Sequence, residues 1–211
     1  VLNAYSVITN VLDESQQDWH ELLLRIYVQV IDYFGSRVFR EIVGKLGRLS
    51  ERKDWDVWRP AVQHWILTQV AQQVVNIMST TREALKEAVE LAINEGWGIF
   101  ELARYIDENI YLERIIPTRS EVIARTEVLR CSSYGSLAAA RETGLGLDKE
   151  WVTTIDGRER PNHAAANGQR VDINEKFLVG GELLDMPCDP NGSPANTIQC
   201  RCTMVYHLKG E

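Results

Sequence analysis

Apolar residues recur three and four positions apart through most of the first 145 residues, and this period predicts helices. Over residues 18–49 the repeat runs through Leu22, Ile26, Val30, Tyr33, Phe34, Val38 and Ile42. Residues 54–78 repeat the pattern, with Pro60 tolerated in a first turn, where its missing amide proton has no partner to lose. Ser79 and Thr80 fit as N-caps of a third helix that Gly96 stops, and a short helix over 100–110 follows Gly98. Pro117 then breaks the chain, and Thr118 or Ser120 can cap a longer helix ending at Gly144. On that helix Glu121 and Arg125 stand four apart, in the favourable order for an ion pair. Glu127 shares a face with Ile123, Cys131 and Tyr134. Its carboxylate must therefore reach water at the edge of the stripe or find a partner, for which Arg158 and Arg160 are the candidates.

The pattern changes after Gly146. WVTTI and CTMVYHL have the β-branched and aromatic composition of strands. Between them lie Asp156-Gly157, Asn167-Gly168, Gly180-Gly181, Pro187, Pro190, Asn191-Gly192 and Pro194, all turn formers. The expected fold class is α+β: a mostly helical N-terminal region, 1–78, then a module at 79–211 made of helices over 79–144 and a small, loop-rich α+β unit over 147–211. A unit of that size has a marginal hydrophobic core and usually carries a staple.

Composition narrows the functional classes. The 45% apolar and 25% charged fractions are those of an ordinary globular protein. No apolar run approaches the ~20 residues that span a bilayer, so no membrane partner is expected. The net charge of -7 argues against a surface that binds nucleic acid all over. One stretch, 37–53, is rich in Lys and Arg and reads as a solvated helix face or as a contact for DNA or an acidic protein ring. Trp55 and Trp58, set among charged residues, are candidate interface anchors. The first residue is Val1, from which we expect the numbered chain to lack its natural start.

Candidate chemistry gathers near the C-terminus. His163, Cys188, Cys200 and Cys202 have the donor types of a closed zinc site, with Asp189 as a substitute for Cys188. Alternatively, Cys188 pairs with Cys200 or Cys202, where closing a loop of about a dozen residues would stabilise by about 3 kcal/mol. The third option is reduced, buried cysteines acting as small apolar side chains. His163 with Asp156 can also be read as a base and its orienting carboxylate, inside an enzyme site completed by Arg158 and Arg160. The same arginines can instead hold Asp156, Asp189 or Glu127 in bidentate pairs. Pro161-Asn162 fits a short helix start, with His163 in its first turn.

Two segments, within residues 80–205, resemble the phage Mu protein F-like family of head morphogenesis proteins. The first is the helix centred on Arg125, Thr126 and Glu127. The second runs from Trp151 through Asp156, Arg158 and Arg160 to His163, then through Gly168, Pro187 and Asp189 to Cys200, Arg201 and Cys202. The position of Cys188 departs from the family pattern, which has Gly there. The resemblance implies that these residues are structural and that the protein is a non-enzymatic minor head component of a tailed phage or prophage. It implies the portal protein, the major capsid protein and DNA as partners, several copies per virion, and a place in the head interior or at the portal vertex after assembly in the host cytoplasm. No cofactor is certain from the sequence; zinc at the His/Cys set is the one candidate. Related modules are joined to toxin or enzyme domains, and with only nine residues after Cys202 no such domain is expected here. The alternative is an enzyme acting on nucleic acid or a nucleotide through His163, Arg158 and Arg160.

Overall fold

The computed structural model describes residues 2–45, 54–95, 101, 104, 105, 108 and 116–210. Most of the short helix expected over 100–110, part of the basic stretch, and the side chains of Trp55, Trp58 and Glu121 lie outside the described residues. The fold is α+β. Three long helices, α1 (Leu2–Lys45), α2 (Asp54–Glu95) and α3 (Ile116–Glu142), precede a three-stranded sheet, a two-stranded hairpin and two short helices. No described helix is long and apolar enough to cross a membrane.

Three helix boundaries differ from those expected. α2 runs through Ser79 and Thr80 without a break. The Ser79 hydroxyl donates to the Asn76 carbonyl at 2.9 Å, so it serves the helix from inside instead of capping a new one. Pro60 stands in the second turn of α2, not the first. α3 begins at Ile116, which places Pro117 in a first turn and leaves Thr118 and Ser120 inside the helix. Gly144, at φ +67°, follows the end of α3 as expected.

The chain divides into two compact units, residues 1–25 with 67–123 and residues 26–66 with 124–211. In the first, Leu23, Val70, Val74, Ile77 and Ala88 are buried. The second holds the larger core. There α1 buries Tyr27, Ile31 and Ile42, and α2 buries Val62 and Ile66. The expected α1 stripe is thus displaced by a residue over its first turns: Leu22 and Tyr33 are exposed, whereas Leu23, Tyr27 and Ile31 face inward. The ring of Trp65 stacks on Tyr134 with centroids 3.7 Å apart and lies 5.7 Å from that of Tyr27. Gly135 makes the α1–α3 contact possible. A Cβ there would lie 2.8 Å from the carbonyl oxygen of Ile31, so any side chain would push the two backbones apart.

The sheet has the order β2–β1–β5, antiparallel throughout, with β1 (Leu147–Val152) central between β2 (Arg170–Asp172) and β5 (Thr203–Leu208). β1 pairs with β5 along its whole length, from Leu147 opposite Leu208 to Val152 opposite Thr203. The strand read from WVTTI therefore starts four residues earlier and ends at Val152. Beyond it, the Thr153 and Thr154 hydroxyls bond to the carbonyls of His163 and Arg201, at 2.7 and 2.9 Å, instead of extending the ladder. Residues alternate along β1, so Leu147, Lys149 and Trp151 all point into the core. The hairpin of β3 (Phe177–Val179) and β4 (Glu182–Leu184) turns through Gly180-Gly181 at φ +58° and +85°, the left-handed pair that a two-residue loop requires. The short helices are α4 (Pro161–Ala166) and α5 (Pro194–Thr197).

Candidate functional site

Pro161 opens α4 and places His163 in its first turn, where the imidazole is buried edge-on to Trp151 at 5.7 Å between centroids. Cys200 and Cys202 stand two apart in the segment entering β5, and both thiols reach the His163 ring. His163 Nδ1 is 3.2 Å from Cys202 Sγ and 3.6 Å from Cys200 Sγ. The three ligand atoms lie within 4.8 Å of one another, and all three residues are buried. The Cys202 amide donates to Cys200 Sγ at 3.4 Å. His163 Nε2 is also buried and has no hydrogen-bond partner.

Cys188 approaches from the loop between β4 and α5. Its thiol donates to the Thr197 carbonyl at 3.1 Å and lies beside the Cys200 thiol. All four cysteines are free and buried, Cys131 included. The neighbouring Cys188 thiol, followed by burial, pushes the Cys200 thiol up to about 12. The Cys200 thiol and burial do the same for Cys202, also to about 12. As free thiols, both are protonated at neutral pH and are poor nucleophiles. Asp189 points elsewhere: its carboxylate accepts from the amides of Asp185 and Asn191 and from the Asn191 side chain, at 2.7–2.9 Å.

The cluster forms part of the wall of an open groove of about 930 Å³, which Arg125, Arg158, Arg160 and Arg201 also line. The arginines are engaged, though not all as expected. Arg158 and Arg201 both pair with Asp156, at 2.8 and 2.5 Å. Arg160 donates to the Ile198 carbonyl at 2.5 Å. Glu127 is buried, but its partners are neither Arg158 nor Arg160. It accepts from the Tyr27 hydroxyl and from Arg130 three residues along α3. The local partner wins because the i, i+3 spacing already brings Arg130 alongside, at no cost in loop ordering. Arg130 also donates through Nε to the Cys188 carbonyl at 3.2 Å. The Thr126 hydroxyl accepts from the Gln199 amide at 3.1 Å.

Of the other expected residues, Trp151 is fully buried and donates from its indole N–H to the Thr153 hydroxyl at 3.1 Å. Gly168, at φ +78°, donates to the Trp151 carbonyl at 2.8 Å. Pro187 precedes Cys188 in the β4–α5 loop. Sequence reasoning passed over Arg130, Tyr27, Thr153, Lys149 and Asp185. Only Arg130 carried a local signal, its position three residues from a carboxylate on an apolar face.

The Asp156 cluster has a consequence in acid. Hydrogen bonds from Arg201, then Arg158, hold the Asp156 carboxyl well below its usual value of 3.8. Because the folded value is the lower one, this contribution is complete above pH 3.8 and is lost as pH falls toward the folded value. Thermal melts at pH 7 and pH 3 should therefore show a larger drop in midpoint for the parent than for Asp156→Asn. Equal drops would remove Asp156 from the acid response.

The fold and the site define a helix-backed α+β module whose interior is tied by buried ion pairs and a His/Cys cluster. The chain belongs to the phage Mu protein F-like family: the family model matches residues 83–205, more than half of the chain. It is 24% identical over 127 residues to the minor head protein GP7 of Bacillus phage SPP1, across 59% of this chain and 40% of that protein. It is also 28% identical over 206 residues to the NAD(+)--arginine ADP-ribosyltransferase EFV of Enterococcus faecalis, across 86% of this chain and 42% of that protein. The chain thus spans about two fifths of the length of each of these relatives. No solved structure matches it.

Proposed function

We propose that the protein is a minor head protein of a tailed phage or prophage, a structural component of capsid morphogenesis with its place in the virion. The observation that carries this reading is the family match, together with the likeness to a phage minor head protein over more than half of the chain. The geometry supports it, because the polar residues of the family segments are spent on one another: Glu127 on Arg130 and Tyr27, Asp156 on Arg158 and Arg201, Thr126 on Gln199. Such pairing suits a module that must keep its shape during assembly. The groove, lined by Glu159 as well as the arginines, is the surface we assign to a polyanionic neighbour, either DNA or an acidic face of the portal or capsid protein, reached through the largely exposed Arg158 that Asp156 orients. The test is to delete the gene from its phage or prophage and to analyse purified heads by mass spectrometry. The protein should be found in parental heads, in several copies, and its loss should reduce the yield of infectious particles. Heads that lack the protein, or a deletion without effect on yield, would refute the proposal.

A second reading, an enzyme acting on a nucleotide or nucleic acid through His163, Arg158 and Arg160, is favoured by the likeness to the ADP-ribosyltransferase. The matched stretch covers less than half of that enzyme. In this chain the His163 imidazole is buried against two sulfurs, and Arg158 and Arg160 are engaged by Asp156 and Ile198. NAD+ turnover by the purified chain that disappears in His163→Ala would establish the enzyme.

A further inference from the structure

We infer that His163, Cys200, Cys202 and Cys188 form a structural zinc site, with the histidine bound through Nδ1. Spacing comes first. In a tetrahedral zinc centre with Zn–S about 2.3 Å and Zn–N about 2.0–2.1 Å, a sulfur and a nitrogen ligand are about 3.6 Å apart and two sulfurs about 3.8 Å apart. Here Nδ1 stands 3.2 and 3.6 Å from the two sulfurs, and no pair among the three ligand atoms exceeds 4.8 Å. The donors thus stand nearly as far apart as the ion would hold them.

The surroundings fit a ligand better than an apolar filler. His163 is almost wholly buried, yet its Nδ1 faces only sulfur and its Nε2 faces no hydrogen-bond partner. A buried Nδ1 that faces only sulfur is costly, and a metal bond through it supplies a stronger interaction, while Nε2 keeps its proton without a partner. The Cys202 amide aimed at Cys200 Sγ is the kind of donor that stabilises a bound thiolate. Among the described residues, the non-glycine residues with positive φ are Cys188, at 60°, and Gln199, at 53°. One is a proposed ligand and the other immediately precedes Cys200. Such backbone is costly for a side-chain-bearing residue and persists where the surroundings hold it in place.

We assign Cys188 as the fourth ligand because it is the remaining sulfur in the buried cluster that holds Cys200 and Cys202, whereas the Asp189 carboxylate is already bound by two amides. The Cys188 sulfur stands outside the set that the other three donors form within 4.8 Å, so loading requires it to leave the Thr197 carbonyl and turn toward them. Four protein ligands and burial describe a closed site, which is structural and not catalytic. Loading by Zn2+ displaces the three thiol protons to solvent and leaves three thiolates on the ion. The ion would join α4, the β4–α5 loop and the segment entering β5. It would thus staple a region whose strands are six residues long at most.

The test uses the full chain expressed with zinc supplied. Elemental analysis should find one zinc per chain. Thiol titration in denaturant should count four thiols and so exclude a disulfide, and an organomercurial added to the folded chain should release the zinc as it reacts with the ligand thiols. Cys200→Ser and Cys202→Ser should each reduce bound zinc at least tenfold, whereas Cys131→Ser keeps it. Should the serine variants fail to fold, the parent decides the matter through cobalt. Co2+ added to metal-stripped chain should produce intense sulfur-to-cobalt charge transfer and tetrahedral visible bands, with the charge-transfer intensity lower by about a third in Cys188→Ser. A parent chain with no zinc and no cobalt bands overturns the site, as does a disulfide among these cysteines in freshly purified protein. An unchanged cobalt spectrum in Cys188→Ser overturns the assignment of the fourth ligand.

Discussion

Replacing Glu127 by alanine is expected to lower the unfolding free energy by about 3–5 kcal/mol, the usual cost of removing one partner from a buried ion pair. Glu127, Arg130 and Tyr27 are all buried, with Tyr27 fully enclosed. Burial works against the charge on Arg130, and the neighbouring Glu127 carboxylate outweighs it, so the guanidinium is held above its ordinary value. Without the carboxylate, Arg130 keeps the burial and loses the compensation, while the Tyr27 hydroxyl loses its acceptor. For a chain of this size the loss corresponds to a melting point lower by about 6–20 °C. Glu127→Gln should cost less, because it still accepts from Tyr27. The double variant Glu127→Met with Arg130→Met should recover part of the loss, since no charge is left stranded. Denaturant unfolding of the three variants checks this order. A loss below 1 kcal/mol for Glu127→Ala would mean that water reaches Arg130.

Asp185→Ala is expected to cost about 3 kcal/mol, because it abandons two cations at once. Lys149 is fully buried on the inner face of β1, and its ammonium donates to the Asp185 carboxylate at 2.6 Å and to the Asp185 carbonyl at 2.7 Å. Arg141, near the end of α3, donates to both carboxylate oxygens at 2.9 and 3.0 Å. Burial lowers the Lys149 ammonium below its usual value, and the Asp185 carboxylate opposes that shift. With Asp185 removed, burial acts almost alone, and the lysine must lose its proton or pull its strand outward. Lys149→Met should be far milder. A thioether of similar length packs against Phe177, whose ring centre lies 5.1 Å from the ammonium, and Asp185 keeps Arg141. Urea midpoints for the two variants should rank in that order. The reverse order would show that the lysine, not the carboxylate, organises the site.

These two interiors differ in how far the chain announced them. Helical periodicity placed Glu127 on an apolar face and left open whether it reached water or a partner; the partner itself was missed because distant arginines were weighed before the one a turn away. The Lys149–Asp185 pair joins residues 36 apart in the chain, and no local pattern encodes it. The α1 stripe slipped for a different reason. Leu22, Leu23 and Leu24 are consecutive, as are Val30 and Ile31, so the sequence offers two apolar faces and packing chooses between them. Ser79 was overread because serine favours caps only where the chain must stop, and α2 does not stop there. By contrast, the Gly180-Gly181 turn, α4 with His163 in its first turn, and the gathering of His163 with Cys200 and Cys202 were legible, since proline, paired glycines and a two-residue spacing each impose local geometry.

The link between the two family segments bears on how the gene can be shuffled. α3 grips the cysteine-bearing loops at two points, through Thr126 to the Gln199 amide and through Arg130 to the Cys188 carbonyl. A crossover between codons 130 and 188 would join the helix of one parent to the loops of another and split both grips at once, whereas one at 126–130 or 188–199 would split only the Thr126–Gln199 grip. Exchanges that leave a viable product must therefore carry the stretch whole, and the two signatures should travel as a single heritable block, whatever coding sequence they are joined to.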